Sequence, residues 1–159
     1  MYESIKEWFF TIYVDEEELV NVAYQATLKA YEYKKGSTEF IKGFQEAIKC
    51  YKQILDCNPT HEIALYRLAI SYEQIESFND ALSWMTEYIK NYPDNADAFL
   101  VCANIYWELG MVVRATDCAE KAYQMNPRSL AVLKWLNLAP MNTKTTTEID
   151  LSTHITQRE

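Results

Sequence analysis

One stretch, Glu62–Arg128, is a 34-residue pattern written twice. Leu65, Leu68, Ala69, Tyr72, Phe78, Ala81, Met85, Tyr88 and Pro93 return 34 residues later as Phe99, Cys102, Ala103, Tyr106, Val112, Ala115, Ala119, Ala122 and Pro127. Counting back from the second half of the first copy gives Phe44, Ala47, Tyr51, Ile54 and Pro59. A unit this short cannot bury its apolar face alone, so a fixed period in this range predicts stacked copies of one supersecondary unit. Each copy holds two helices. Leu65, Leu68, Ala69 and Tyr72 share one helical face, and Phe78, Ala81, Met85, Tyr88 and Ile89 share another. Glu76–Ser77 separates them, and Leu109–Gly110 does so in the next copy, where Gly110 suits the left-handed end of a helix. Asn79 and Asp80 fall in a first turn, where such residues are tolerated. Alanines 69, 81, 103 and 115 let two helices approach closely, and Tyr72, Tyr106, Phe44 and Phe78 fill the space beside them. Pro59, Pro93 and Pro127 each follow a finished helix, where a missing N–H does least harm.

This large–small–aromatic–small–Pro pattern resembles the tetratricopeptide repeat (TPR) over about Phe44–Pro127, and more loosely over Leu19–Leu138. The resemblance implies an all-α fold, a right-handed superhelix of antiparallel helix pairs. Repeats fall at about 19–61, 62–95 and 96–129 within a domain of residues 15–138. In the first repeat, Leu19–Tyr33 and Phe40–Cys57 are the expected helices, and the linker Lys34–Glu39 is longer than its counterparts. Leu130–Leu138, capped by Ser129 and stopped by Pro140, suits a helix covering the last apolar face, with Trp135 as part of it. Asp15 is placed to cap the first helix, with Glu16–Glu18 complementing its dipole.

Both flanks differ from the array. Residues 1–14 read as an amphipathic helix whose Trp8, Phe9, Phe10 and Ile12 are too apolar for water. That helix covers the first repeat, mediates a homodimer, or lies in the domain's own groove as a self-ligand. Residues 139–159 are rich in Thr and lack aromatic residues, the composition of a flexible tail. There Ile149, Leu151 and Ile155 offer a short binding motif.

Charge and residue chemistry exclude several classes. A net charge of −8 argues against nucleic acid, which requires a basic face. No apolar run of about 20 residues exists to span a membrane. The first residues lack a secretory cleavage pattern. Cys50, Cys57, Cys102 and Cys118 form no C-x-x-C pair and read as four buried free thiols of a reducing compartment. The expected location is cytoplasmic, with the nucleus compatible. His61 sits in an inter-repeat turn and His154 in the tail, neither with a catalytic neighbour in sequence. With no phosphate loop and no metal-spaced His/Cys cluster, the reading is non-enzymatic, without cofactor or metal.

In TPR proteins the first helices of successive repeats line a concave surface that holds the ligand. The resemblance implies that role, and helical geometry, through the face not used for packing, gives it here to Ile63, Tyr66, Arg67, Ile70, Glu73 and Gln74, then to Asp97, Leu100, Val101, Asn104, Trp107 and Glu108. Ile63, Tyr66, Ile70, Leu100, Val101 and Trp107 are more apolar than a solvated face requires, and Tyr, Trp and Arg recur at binding hot spots. The expected ligand is an apolar or amphipathic protein segment, with Arg67 and Asn104 as polar anchors. The family's clamp for chaperone C-terminal carboxylates uses Lys and Asn in its first repeat, Asn in its second, Lys and Arg in its third. Arg67 stands for that second Asn, and Asp97 and Val101 for the Lys and Arg, so a carboxylate ligand is disfavoured. Adaptor, dedicated chaperone (similar to those of bacterial type III secretion translocators) and scaffold subunit are the competing roles.

Overall fold

The computed structural model describes residues 15–138. Residues 1–14, with Trp8, Phe9, Phe10 and Ile12, and residues 139–159 lie outside the described part. Seven helices follow one another among the described residues: α1 Glu16–Ala30, α2 Thr38–Cys57, α3 Glu62–Gln74, α4 Phe78–Asn91, α5 Ala96–Glu108, α6 Val112–Met125 and α7 Leu130–Leu138. Each helix packs on the next, the closest pairs being α1–α2, α3–α4 and α5–α6, and α3 also touches α5. The result is an all-α helical-repeat superhelix.

Caps explain most boundaries. The Asp15 carboxylate accepts from the Glu18 N–H at 3.0 Å, so α1 begins three residues before the expected Leu19 and ends at Ala30, short of Tyr33. The Ser37 hydroxyl accepts from the Phe40 N–H at 3.3 Å and moves the start of α2 back to Thr38. Asn95 accepts from the N–H groups of Asp97 and Ala98. His61 is a structural cap: its Nδ1 accepts from the Ala64 N–H at 3.2 Å, and its Nε2 lies 3.6 Å from the Glu16 carboxylate. The histidine without a neighbour in sequence therefore has one in space.

The turn inside each repeat contains a left-handed residue two positions before the second helix: Gly36 at φ +83°, Glu76 at φ +63° and Gly110 at φ +71°. Around Glu76 the Ser77 N–H reaches the Tyr72 carbonyl and the Glu76 N–H reaches Glu73. Met111 to Tyr106 and Gly110 to Trp107 repeat the same pair of bonds, which close the helix end in a Schellman arrangement.

Small residues set the spacing. Ala23, Ala47, Ala64, Ala69, Ala81, Ala98, Ala103, Ala115, Ala119 and Ala122 are sealed from solvent. Gly43 marks a close approach of two helices, where an added methyl would lie 2.6 Å from the Ala30 Cβ and 2.9 Å from the Ala26 carbonyl oxygen. The large core residues are uneven along the array. At one repeat position Tyr51 gives way to Met85 and then Ala119, all buried. At another, Ile54 and Tyr88 give way to Ala122. Val112, expected at a packing position, stays 37% exposed at the edge of α6.

Only one of the four cysteines matches the expected burial. Cys102 is buried, Cys50 and Cys118 are half-buried, and Cys57 is exposed, all four as free thiols. Cys57 is the last residue of α2, where the helix has run past its packed face. Burial pushes the Cys102 thiol up to about 12.

Candidate functional site

Helices α3 and α5 bury Leu65, Leu68 and Ala69, and Ala98, Cys102 and Ala103, on their core sides. Helical geometry turns a second face of each away from that core. On α3 this face carries Ile63, half exposed, Arg67, exposed, and Tyr66, Ile70 and Gln74, half-buried. On α5 it carries half-buried Leu100, Val101 and Asn104, and Trp107 with 36% of its surface exposed. Tyr66, Ile70 and Val101 also rest their inner edges on the core, so each is partly a packing residue. The Tyr66 ring lies 5.1 Å from that of Tyr88, which in turn lies 5.2 Å from Tyr92. Trp107 meets Trp135 of α7 edge-on at 5.9 Å, so the last helix extends the aromatic wall of the face.

Asn104 and Trp107 share a cleft of about 310 Å³ with Lys35, Glu73, Glu76, Phe78 and Glu108. Arg67, Ile63, Tyr66 and Leu100 do not line it. Three carboxylates meet one lysine there. Among the described residues, none of the three has a Lys, Arg or His nitrogen within 4.0 Å. Burial raises the Glu73 carboxyl above the usual range, Lys35 pulls it down and Glu108 raises it again. Arg67 lies outside this cleft. It favours the ionised forms of Tyr31 and Tyr51, whose phenols burial nevertheless holds up. Tyr31 packs edge-on against Phe44 at 5.3 Å and Phe40 at 6.1 Å, with half its surface in solvent.

A second cleft, of about 640 Å³, opens at the other ends of the same helices, where Glu62, Asp94 and Asp97 surround Tyr88 and Tyr92. The Tyr88 hydroxyl is held between Glu62, at 3.3 Å, and the Asn95 amide, which donates to it at 2.8 Å. Asp97 adds to the burial that raises the Tyr66 phenol. Both clefts are therefore acidic, and the face between them is mostly apolar, with Arg67 exposed on it.

The long linker is what sequence spacing could not place. It carries Lys35 to the Glu73 cleft, a contact across repeats that no period encodes. The carboxylates were closer to hand. Glu73 and Trp107 are 34 residues apart, as are Gln74 and Glu108, so the two helix ends present the same pair of positions. Among the described residues no helix is long and apolar enough to cross a membrane.

No protein-family profile and no curated protein matches the sequence. Solved structures do match the fold. MamA, in a crystal structure, is 20% identical with a TM-score of 0.65, over 79% of this chain and 66% of that one. This chain thus spans just under two thirds of MamA's length. The Arabidopsis OM64 TPR domain is 15% identical with a TM-score of 0.60, over 79% of this chain and 99% of that one. The first TPR of Spaghetti (RPAP3), bound to the HSP90 peptide SRMEEVD, is 19% identical with a TM-score of 0.57, over 74% and 90%. At these identities the likeness concerns the fold.

Proposed function

We propose that this chain, whose fold is that of the tetratricopeptide repeat, is a non-enzymatic adaptor that holds an apolar or amphipathic protein segment on the α3–α5 face. The observation that carries this is the row of Ile63, Tyr66, Ile70, Leu100, Val101 and Trp107, which the core leaves partly uncovered. Apolar side chains kept half in water on adjoining first helices gain free energy when a partner covers them, by about 25 cal/mol per Å². The RPAP3 repeat, of the same fold, is bound to a peptide. The free thiols fit a reducing, cytoplasmic setting. The finer roles of dedicated chaperone and scaffold subunit use the same face and differ in whether the partner is stable alone.

The test is capture from a native cell extract by the parent chain, by Tyr66→Ala/Trp107→Ala, and by Ile63→Ser/Leu100→Ser, each first shown by circular dichroism to melt cooperatively. The expected result is a protein retained by the parent and lost by both variants. Equal retention by all three would move binding off this face.

A further inference from the structure

We infer that the partner segment is basic, and that one of its Lys or Arg side chains enters the cleft between Glu73, Trp107 and Glu108. The inference rests on the adaptor reading and specifies its ligand.

Charge is the first argument. The apolar face ends at both mouths in carboxylates: Glu73, Glu76 and Glu108 at one, Glu62, Asp94 and Asp97 at the other. Lys35 is the lone cation lining either cleft, and it stays more than 4.0 Å from any carboxylate oxygen among the described residues. Glu73 and Glu108 repel each other across a partly desolvated space, and an arriving cation would relieve that repulsion. An acidic segment would add to it.

The shape of the cleft selects the kind of cation. Among the described residues, no three His, Cys, Asp or Glu converge closely enough to hold a metal ion. Spread carboxylates around about 310 Å³ suit a cationic head carried on a carbon stem, which either Lys or Arg supplies. Trp107 and Phe78 give that stem an apolar wall, and the indole adds a cation–π surface. Elsewhere the chain supplies such cations itself: Lys52 lies over Tyr72, Arg114 over Tyr106 and Lys121 over Phe99, at 5.5–5.8 Å. Among the described residues Trp107 carries none, and it stands at the end of the apolar row. A segment lying along Leu100 and Val101 therefore reaches Trp107 and the carboxylates with its next turn.

The test is a selection of displayed random dodecapeptides on the full chain, followed by titration of the enriched peptides and of SRMEEVD. Titrations are repeated on Glu73→Gln/Glu108→Gln, which keeps side-chain shape, and on Ile63→Ser/Leu100→Ser. The expected peptides carry Lys or Arg beside aromatic or aliphatic residues. They should lose about tenfold in affinity on the Gln variant and bind the Ser variant more weakly. Enriched peptides that are neutral or acidic, or basic ones that bind the Gln variant as tightly, would overturn the inference. So would SRMEEVD binding as tightly as the best enriched peptide. In each of those cases the adaptor reading stands if the Ser variant still weakens binding. Peptides indifferent to the Ser variant, or no enriched peptide, would overturn both.

Discussion

Glu73 is a carboxylate that the fold would rather keep protonated. Its carboxyl is raised by burial and by Glu108, against the pull of Lys35. The folded chain thus holds this proton more tightly than the unfolded chain. Stability contributed by Glu73 is greatest at acid pH and falls as pH rises from the ordinary carboxylate range through the raised folded value. Glu73→Gln removes that loss. The variant should melt above the parent at neutral pH, and the gap should close as the buffer is brought toward pH 4, read by thermal denaturation across a pH series. A gap that widened on acidification would mean that Lys35 dominates. Residue-scale facts of this kind were the least legible in the sequence. His61 and Glu16 are 45 positions apart, and nothing in their spacing pairs them. Lys35 belongs to the linker that departs from the period. Thiol burial was misread at three of four positions because a helical face can be counted, whereas the point where packing stops cannot.

Helices and their turns were far more legible, because period, caps and breakers agree. The exceptions have physical causes. Asp15 and Ser37 start their helices earlier than hydrophobic periodicity suggests, since a cap acts before the first apolar residue appears. Glu76 occupies the left-handed position that glycine holds at 36 and 110. The same Schellman bonds form there despite a cost of about 1–2 kcal/mol for a residue with a Cβ. The α1–α2 crossing depends on Gly43, and there a single methyl has nowhere to go. With approaches this short, overpacking by Gly43→Ala falls in the upper part of the usual range, about 2–3 kcal/mol, helix propensity returns about 1, and a net loss of about 1–2 kcal/mol is expected. Calorimetry should show a fall in melting temperature of roughly 3–8 °C. Unchanged melting would mean that α1 can slide outward at little cost, so that the crossing is looser than its geometry.

Across the described residues the core thins from the first two repeats to the third. Most of the largest sealed side chains, among them Phe40, Phe44, Tyr51, Leu65, Leu68, Met85 and Tyr88, belong to α2–α4, while α5–α7 supply Ile105 and Val132. In a stacked array each unit is stabilised by itself and its neighbours, so local opening follows local core size. Hydrogen exchange should proceed fastest in α6 and α7 and slowest in α2–α4. Uniform protection would show that the alanine-lined contacts of α6 are as strong as the aromatic ones. This gradient was written in the sequence as the series Tyr51, Met85, Ala119, although only burial of all three establishes that they occupy equivalent core positions.

The edge-on meeting of Trp107 and Trp135 joins the aromatic wall to the terminal helix. Two indoles held 5.9 Å apart with their planes 82° from one another couple their electronic transitions. The pair is a built-in optical gauge. Its exciton signal depends on the seating of α7, and a guest pressed against the indole of Trp107 alters the same band. The chain therefore carries a label-free chromophore that registers the closure of its own end and, on the proposed adaptor reading, the arrival of a guest.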